Sequence, residues 1–196
     1  MNKLFLETIK AEDGKLFHLE YHQKRYEEVL ASLEVKKFKD LQSFLHPPKK
    51  GLYRCRVLYS QKSIDVSYHL YEKCTIKKLK LIFDDTIEYS KKYADRSQIN
   101  HNFAQKEEAD DILIVKNSLI TDTSVANIAF FDGKKWYTPK IPLLKGTTRT
   151  RLLEMKQINE KNIYVHELKK YEKVALLNAM IDFDIISEDK QKGLYC

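Results

Sequence analysis

Lys92 with Arg96 four residues on, the run 121–127, and the turn Gly146, Thr147, Thr148, Arg149 carry the residue types that chemistry on an amine or a carbonyl needs. A lysine amine adds to a carbonyl carbon and can then pass protons; Lys92 has Lys91 as a neighbouring rival, and only the spacing to Arg96 separates them. Asp122, among Thr121, Thr123 and Ser124 and ahead of Asn127, offers a carboxylate able to hold a ring nitrogen protonated, or else an ordinary turn cap. Gly146, Thr147 and Thr148 open a helix, where free amides and the helix dipole favour an anion; plain helix capping is the other reading. Arg25 adds a second possible phosphate contact, with a surface ion pair as its alternative. His18 and His22 stand four apart, but without a glutamate in the metalloprotease position or an obvious third ligand they do not read as a metal site.

These residues need a scaffold, and apolar periodicity supplies one. Residues 3–9 alternate as a strand, Asp13 and Gly14 make a hairpin turn, and Leu19, His22, Tyr26, Leu30 and Leu33 mark one helix face reaching about Glu34. A shorter helix over 39–45 is stopped by Pro47 and Pro48. Strands follow over Leu52–Tyr59, Ile64–Leu70 and 78–83. The polar stretch 84–93 is taken as a junction, with domains at 1–86 and 87–196, so that Lys92 sits just before a helix over 96–106 and can project into a cleft. Beyond it, strands are expected at 112–115, 119–121, 126–131 and 174–180, a hairpin at Asp132 and Gly133, and helices at 148–158 and 165–171.

The 196 residues, 43% hydrophobic and 32% charged, describe a globular chain rather than a disordered or membrane one. No apolar run spans a bilayer and the amino terminus lacks a signal peptide's apolar stretch, so a cytoplasmic protein is expected. Cys55, Cys74 and Cys196 are odd in number and far apart and are read as free thiols. The net charge of +7 attracts anions, but the basic residues are dispersed without a nucleic-acid signature, so a small anionic amino-substrate is expected rather than nucleic acid or membrane.

An amine, a carboxylate for a ring nitrogen and an anion cradle are together what pyridoxal 5'-phosphate requires. The ordered set Glu7, Thr8, Ile9; His22 to Arg25; Lys92 to Arg96; 121–127; and Gly146 to Arg149 resembles the class IV, fold-type IV pyridoxal-phosphate enzymes, among them branched-chain and D-amino-acid aminotransferases and 4-amino-4-deoxychorismate lyase. The resemblance implies an α/β (α+β) chain with a small N-terminal α/β domain and a C-terminal pseudo-barrel domain, forming a homodimer with the cofactor between domains. It implies that Lys92 forms the Schiff base, Arg25 and the Gly146, Thr147, Thr148 turn bind phosphate, and Asp122, with Asn127 behind it, contacts the pyridine nitrogen. Leu177 to Met180 resembles the family's last core strand.

The chain departs from the pattern in three ways. Asp122 stands where glutamate is usual, the leading hairpin before Glu7 is missing, and so is an arginine- and glycine-rich loop after the strand that holds Arg54 and Arg56. Either arginine can replace that loop in binding a substrate carboxylate; alternation puts both on one face without saying which. Among the family's activities the expectation is the lyase that makes 4-aminobenzoate and pyruvate for folate synthesis. An amino-acid aminotransferase and a non-catalytic basic binding protein on the same fold are the alternatives.

Overall fold

Strand alternation and one amphipathic helix build the first of two units in the computed structural model, which describes residues 3–187 and 194–195. Cys196 lies outside those residues; Cys55, buried, and Cys74, exposed, are free thiols. The first unit takes residues up to 73 together with 91–95. Its strands β1 (Phe5–Glu12), β2 (Lys15–Leu16), β3 (Leu52–Tyr59) and β4 (Ile64–Leu70) form an antiparallel sheet in the order β2-β1-β3-β4. Phe5, Ile9, Cys55, Val57 and Tyr59 point to one side, where helix α1 (Leu19–Ala31) lays down Tyr26, Val29 and Leu30. The segment holding Lys92 is tied to the start of β1: the Leu6 amide donates to the Lys92 carbonyl at 2.8 Å, and Ala94 donates to Leu4 at 2.9 Å.

The second unit takes residues 74–90 and 96 onward. It contains β5 (Leu79–Phe83), α2 (Ser97–Phe103), β6 (Asp111–Lys116), β7 (Leu119–Thr123), β8 (Asn127–Phe131), β9 (Trp136–Pro139), α3 (Thr147–Glu154), β10 (Asn159–Lys161), β11 (Lys173–Asn178) and β12 (Asp182–Ser187). Among the described residues these strands make a sheet of order β10-β9-β8-β7-β6-β5, with β11 branching from β8 and carrying β12. Strands β5 and β6 run parallel, as do β9 and β10. The centre of β6 is buried on both faces, as its unbroken run Ile112, Leu113, Ile114, Val115 requires. At the branch, β7 meets β8 through a single register pair, Asp122 with Asn127.

Several elements differ from the sequence reading for local reasons. The stretch at 39–45 is a single 3-10 turn, Leu41–Phe44, whose start is capped by the Asp40 side chain. The third helix ends at Glu154 instead of 158, because the chain turns through Lys156 in the left-handed region (φ 57), freeing Asn159–Lys161 to pair with β9. The last core strand stops at Asn178, whose side-chain oxygen accepts from the Met180 and Ile181 amides and closes a turn into β12, a strand the sequence reading lacks. Strand β5, placed before a junction at 86/87 by that reading, has its partner in β6, while residues 91–95 pair back to β1.

Candidate functional site

In the first unit the site residues grow from one register fact: Glu7 shares the core-facing side of β1 with Phe5 and Ile9. A carboxylate there has no water, and Glu7 is 0% exposed. Its partners come from α1, where His22 and Arg25, three residues apart, share a face. Arg25 Nε donates to Glu7 Oε1 at 2.8 Å, an Arg25 Nη donates to Oε2, and His22 Nδ1 donates to Oε2 at 2.7 Å. Burial alone would raise the Glu7 pKa, but the Arg25 charge and the hydrogen bonds from His22 and Arg25 bring it down to about 2. Glu7 is therefore ionised, and His22 must keep its proton on Nδ1. Burial lowers the His22 pKa against the pull of Glu7, and the positive charges of Arg25 and Lys92 push the same way. The imidazole is thus neutral, with a buried Nε2 that has no hydrogen-bond partner.

Lys92 is half-buried in the same unit, its backbone held against Leu6 and its charge felt at His22. Arg54 and Arg56 stand on the opposite face of the sheet from α1, since their neighbours Cys55 and Val57 are in the core. There Arg56 pairs in register with Thr8 and Ser67, and Arg54 with Lys10 and His69. The face that alternation left open is thereby assigned.

In the second unit Asp122 is 5% exposed at the β7 end. Turn capping falls to Thr123 instead, whose Oγ1 accepts from the Ala126 amide at 3.1 Å. Asp122 accepts from Asn127 Nδ2 at 2.6 Å and from the Leu144 amide at 2.9 Å, and Asn127 Nδ2 also donates to the Leu144 carbonyl at 2.8 Å. These donors are neutral. Burial therefore wins, and the Asp122 pKa rises to about 6 even though the bonds from Leu144 and Asn127 and the Arg149 charge oppose it. Gly146 enters α3 with an ordinary φ of −70, so backbone freedom is not its purpose. A Cβ there would collide with Asn127 Oδ1. The close approach that glycine permits is that of the asparagine which fixes Asp122. Thr147 and Thr148, both buried, open α3, and its N-cap, Gly146, makes no side-chain cap.

Three residues that the sequence reading names as parts of motifs, without a role, have one in the structure. Glu7 is the first, and a glutamate in an apolar alternating strand signals a buried partner. Arg96 Nη2 donates to the Ser124 carbonyl at 2.6 Å and pins the turn after Asp122. Arg149, 3% exposed, donates to the Pro139 carbonyl at 2.8 Å and to Glu160 at 2.7 Å, tying α3 to β9 and β10.

These residues fit a phosphorylated pyridine cofactor. A cation beside Asp122 would relieve a carboxylate whose burial now lifts its pKa, which is what a protonated ring nitrogen provides. The uncapped N-terminus of α3, with two buried threonines, suits a phosphate.

The family described as Amino-transferase class IV matches residues 92–188, a span that begins on Lys92. An uncharacterized protein of Haemophilus influenzae is 38% identical over 180 residues, covering 89% of this chain and 96% of that protein. A crystal structure named "putative 4-amino-4-deoxychorismate lyase", from Haemophilus somnus 129PT, is 36% identical with a TM-score of 0.84, over 92% of this chain and 97% of that one. A "putative amino-acid aminotransferase" from Mesorhizobium loti shares the fold at 18% identity, with a TM-score of 0.77 over 93% of this chain and 97% of that one. The chain belongs to the class IV aminotransferase family, the fold-type IV enzymes whose cofactor is pyridoxal 5'-phosphate.

Proposed function

We propose that the chain is a lyase that converts 4-amino-4-deoxychorismate to 4-aminobenzoate and pyruvate. The observation that carries this reading is the 36% identity, over nearly the full length of both chains, to the Haemophilus somnus protein that bears the lyase's name. The net charge of +7 and the arginine-bearing sheet face suit a substrate with two carboxylates.

Pyridoxal phosphate, when bound, supplies an aldehyde to take up an amine and a ring that withdraws electrons from the carbon beside it. Arg25, Thr147 and Thr148 would hold its phosphate, while Asp122, kept in place by Asn127 and the Leu144 amide, would hold the ring nitrogen's proton. Gly146 gives Asn127 the room to do so. Lys92 Nζ would be the amine that holds the aldehyde, and once free it serves as base and acid toward the substrate. It takes the proton from the ring carbon that bears the amine, the carbon–oxygen bond to the enolpyruvyl group breaks, and Nζ returns the proton to the departing enol. Aromatisation of the product drives the step forward. Arg56 or Arg54 holds a substrate carboxylate.

The family description also supports a second reading, amino-acid aminotransferase, in which Lys92 would be the group that moves the proton. Incubation of the pyridoxal-phosphate form with 4-amino-4-deoxychorismate should release equal amounts of 4-aminobenzoate and pyruvate and leave the aldehyde form of the cofactor unchanged. Release of a keto acid from an amino acid, with accumulation of pyridoxamine phosphate and no 4-aminobenzoate, would replace the lyase by the transaminase. Lys92→Ala should abolish either activity and the borohydride-trapped adduct; an adduct that persists on Lys91 would move the role by one residue. Protein that takes up no cofactor and instead binds nucleic acid in a salt-dependent way would favour a non-catalytic binding protein.

A further inference from the structure

We propose that Glu7 is a positioning residue for the cofactor, acting through Arg25 to set the plane and direction of the guanidinium that holds the phosphate. The proposal rests on the reading of Arg25 given above.

A long arginine on an amphipathic helix ordinarily samples many rotamers, and ordering it costs free energy that must come from somewhere. Here two donors of the guanidinium, Nε and one Nη, are taken by the two oxygens of a single carboxylate. That fork geometry leaves one orientation of the planar group. The carboxylate is itself held on several sides. It projects from β1 into the core, with Phe5 and Ile9 on either side in the same row, and its Oε2 accepts a further hydrogen bond from the buried His22. Arg25 is therefore anchored through Glu7 to the same strand whose Leu6 amide holds the Lys92 carbonyl. One strand thus sets the position of both the phosphate-binding arginine and the lysine.

A purely structural ion pair would serve the unit's stability and leave ligand preference untouched. The decisive measurement is therefore a ratio. Apoenzyme is titrated with pyridoxal phosphate and, separately, with pyridoxal, which lacks the phosphate, and the two dissociation constants are compared in wild type, Glu7→Gln, Glu7→Asp, Arg25→Met and the double variant Glu7→Gln with Arg25→Met. Glu7→Gln should weaken pyridoxal phosphate by roughly 10- to 100-fold, as loss of an orienting partner does, and leave pyridoxal near its wild-type value. Glu7→Asp, which keeps the charge but withdraws it by one methylene, should fall between. The double variant should lose no more phosphate preference than Arg25→Met alone, because one acts through the other.

If Arg25→Met lowers the preference for the phosphorylated ligand and both Glu7 variants keep the wild-type ratio, the positioning role is wrong. Should Glu7→Gln not fold, an unchanged ratio in Glu7→Asp overturns the proposal by itself. If Arg25→Met keeps the wild-type ratio, the assignment of Arg25 to phosphate fails and the positioning role with it. Wild-type protein that binds neither ligand would instead remove the cofactor reading.

Discussion

Each unit buries one carboxylate, and the two are pushed in opposite directions. Glu7 is held near a pKa of 2, whereas Asp122 is lifted to about 6. Exposure does not separate them, since both are buried. The donors do: Glu7 faces a guanidinium and an imidazole N–H, while Asp122 faces a side-chain amide and a backbone amide. Neutral donors orient a carboxylate without offsetting the cost of removing its charge from water. Glu7 is thus a completed ion pair inside the first unit, and Asp122 is a charge in want of a cation. That difference separates a carboxylate whose charge is met inside the protein from one whose charge awaits a ligand.

Breaking each carboxylate in turn tests the distinction. Glu7→Ala leaves a buried guanidinium without its counter-charge and should lower stability by about 3–5 kcal/mol in urea denaturation. A loss under about 1 kcal/mol would show that water already serves Arg25. Asp122→Asn should do the reverse at neutral pH in the apoprotein, keeping or raising stability by up to about 3 kcal/mol, while cofactor binding weakens. Saturating pyridoxal phosphate should then stabilise wild type more than the variant; equal stabilisation would mean that Asp122 does not meet the ring nitrogen.

Acid titration of the apoprotein sharpens the same contrast. The Glu7 pKa is depressed, so its contribution is fully present above about 4.5 and is lost as pH falls toward 2. The Asp122 pKa is raised, so its contribution is fully present below 3.8 and is lost as pH climbs through about 6. Between pH 4 and 6, wild type should therefore lose stability relative to Asp122→Asn as pH rises, by at most about 3 kcal/mol. Parallel profiles for the two proteins over that window would contradict the raised value. A smaller effect is expected from Gly146→Ala, whose new methyl displaces Asn127 from Asp122: about 1–3 kcal/mol, with weaker cofactor binding as its companion.

The strands of the first unit are legible in the sequence, and other features are hidden there for identifiable reasons. Strands β3 and β4 fall on their expected bounds because alternation with a short polar turn leaves few other pairings. Strand β10 reads Asn, Glu, Lys and shows no periodicity at all; only its parallel pairing with β9 makes it a strand. Residue type and the family resemblance mark Lys92, Asp122 and 146–148 as candidates, but neither shows what supports them. That Glu7 meets Arg25 depends on how α1 lies over β1, and that Gly146 serves Asn127 depends on a contact across 19 residues of sequence. Local sequence shows which groups are available; packing decides which of them are neutralised.

The smallest effects concern the two arginines on the open side of the first sheet, and here the register allows a choice that alternation did not. Lys92 is anchored opposite Leu6, and Arg56 pairs with Thr8, two residues further along β1, while Arg54 pairs with Lys10, four residues along. At about 3.3 Å per residue, Arg56 lies roughly 7 Å and Arg54 roughly 13 Å along the strand from that anchor. Neither is in the core, so alanine at either position should change stability by no more than about 0.5 kcal/mol. If the substrate is the proposed dicarboxylate, Arg56→Ala should raise its KM several times more than Arg54→Ala, with kcat little changed in both, since a carboxylate held equally before and during the reaction contributes uniform binding. Steady-state kinetics of the two variants decide the matter, and a larger KM effect from Arg54 would place the substrate carboxylate further along the strand than the Lys92 anchor implies.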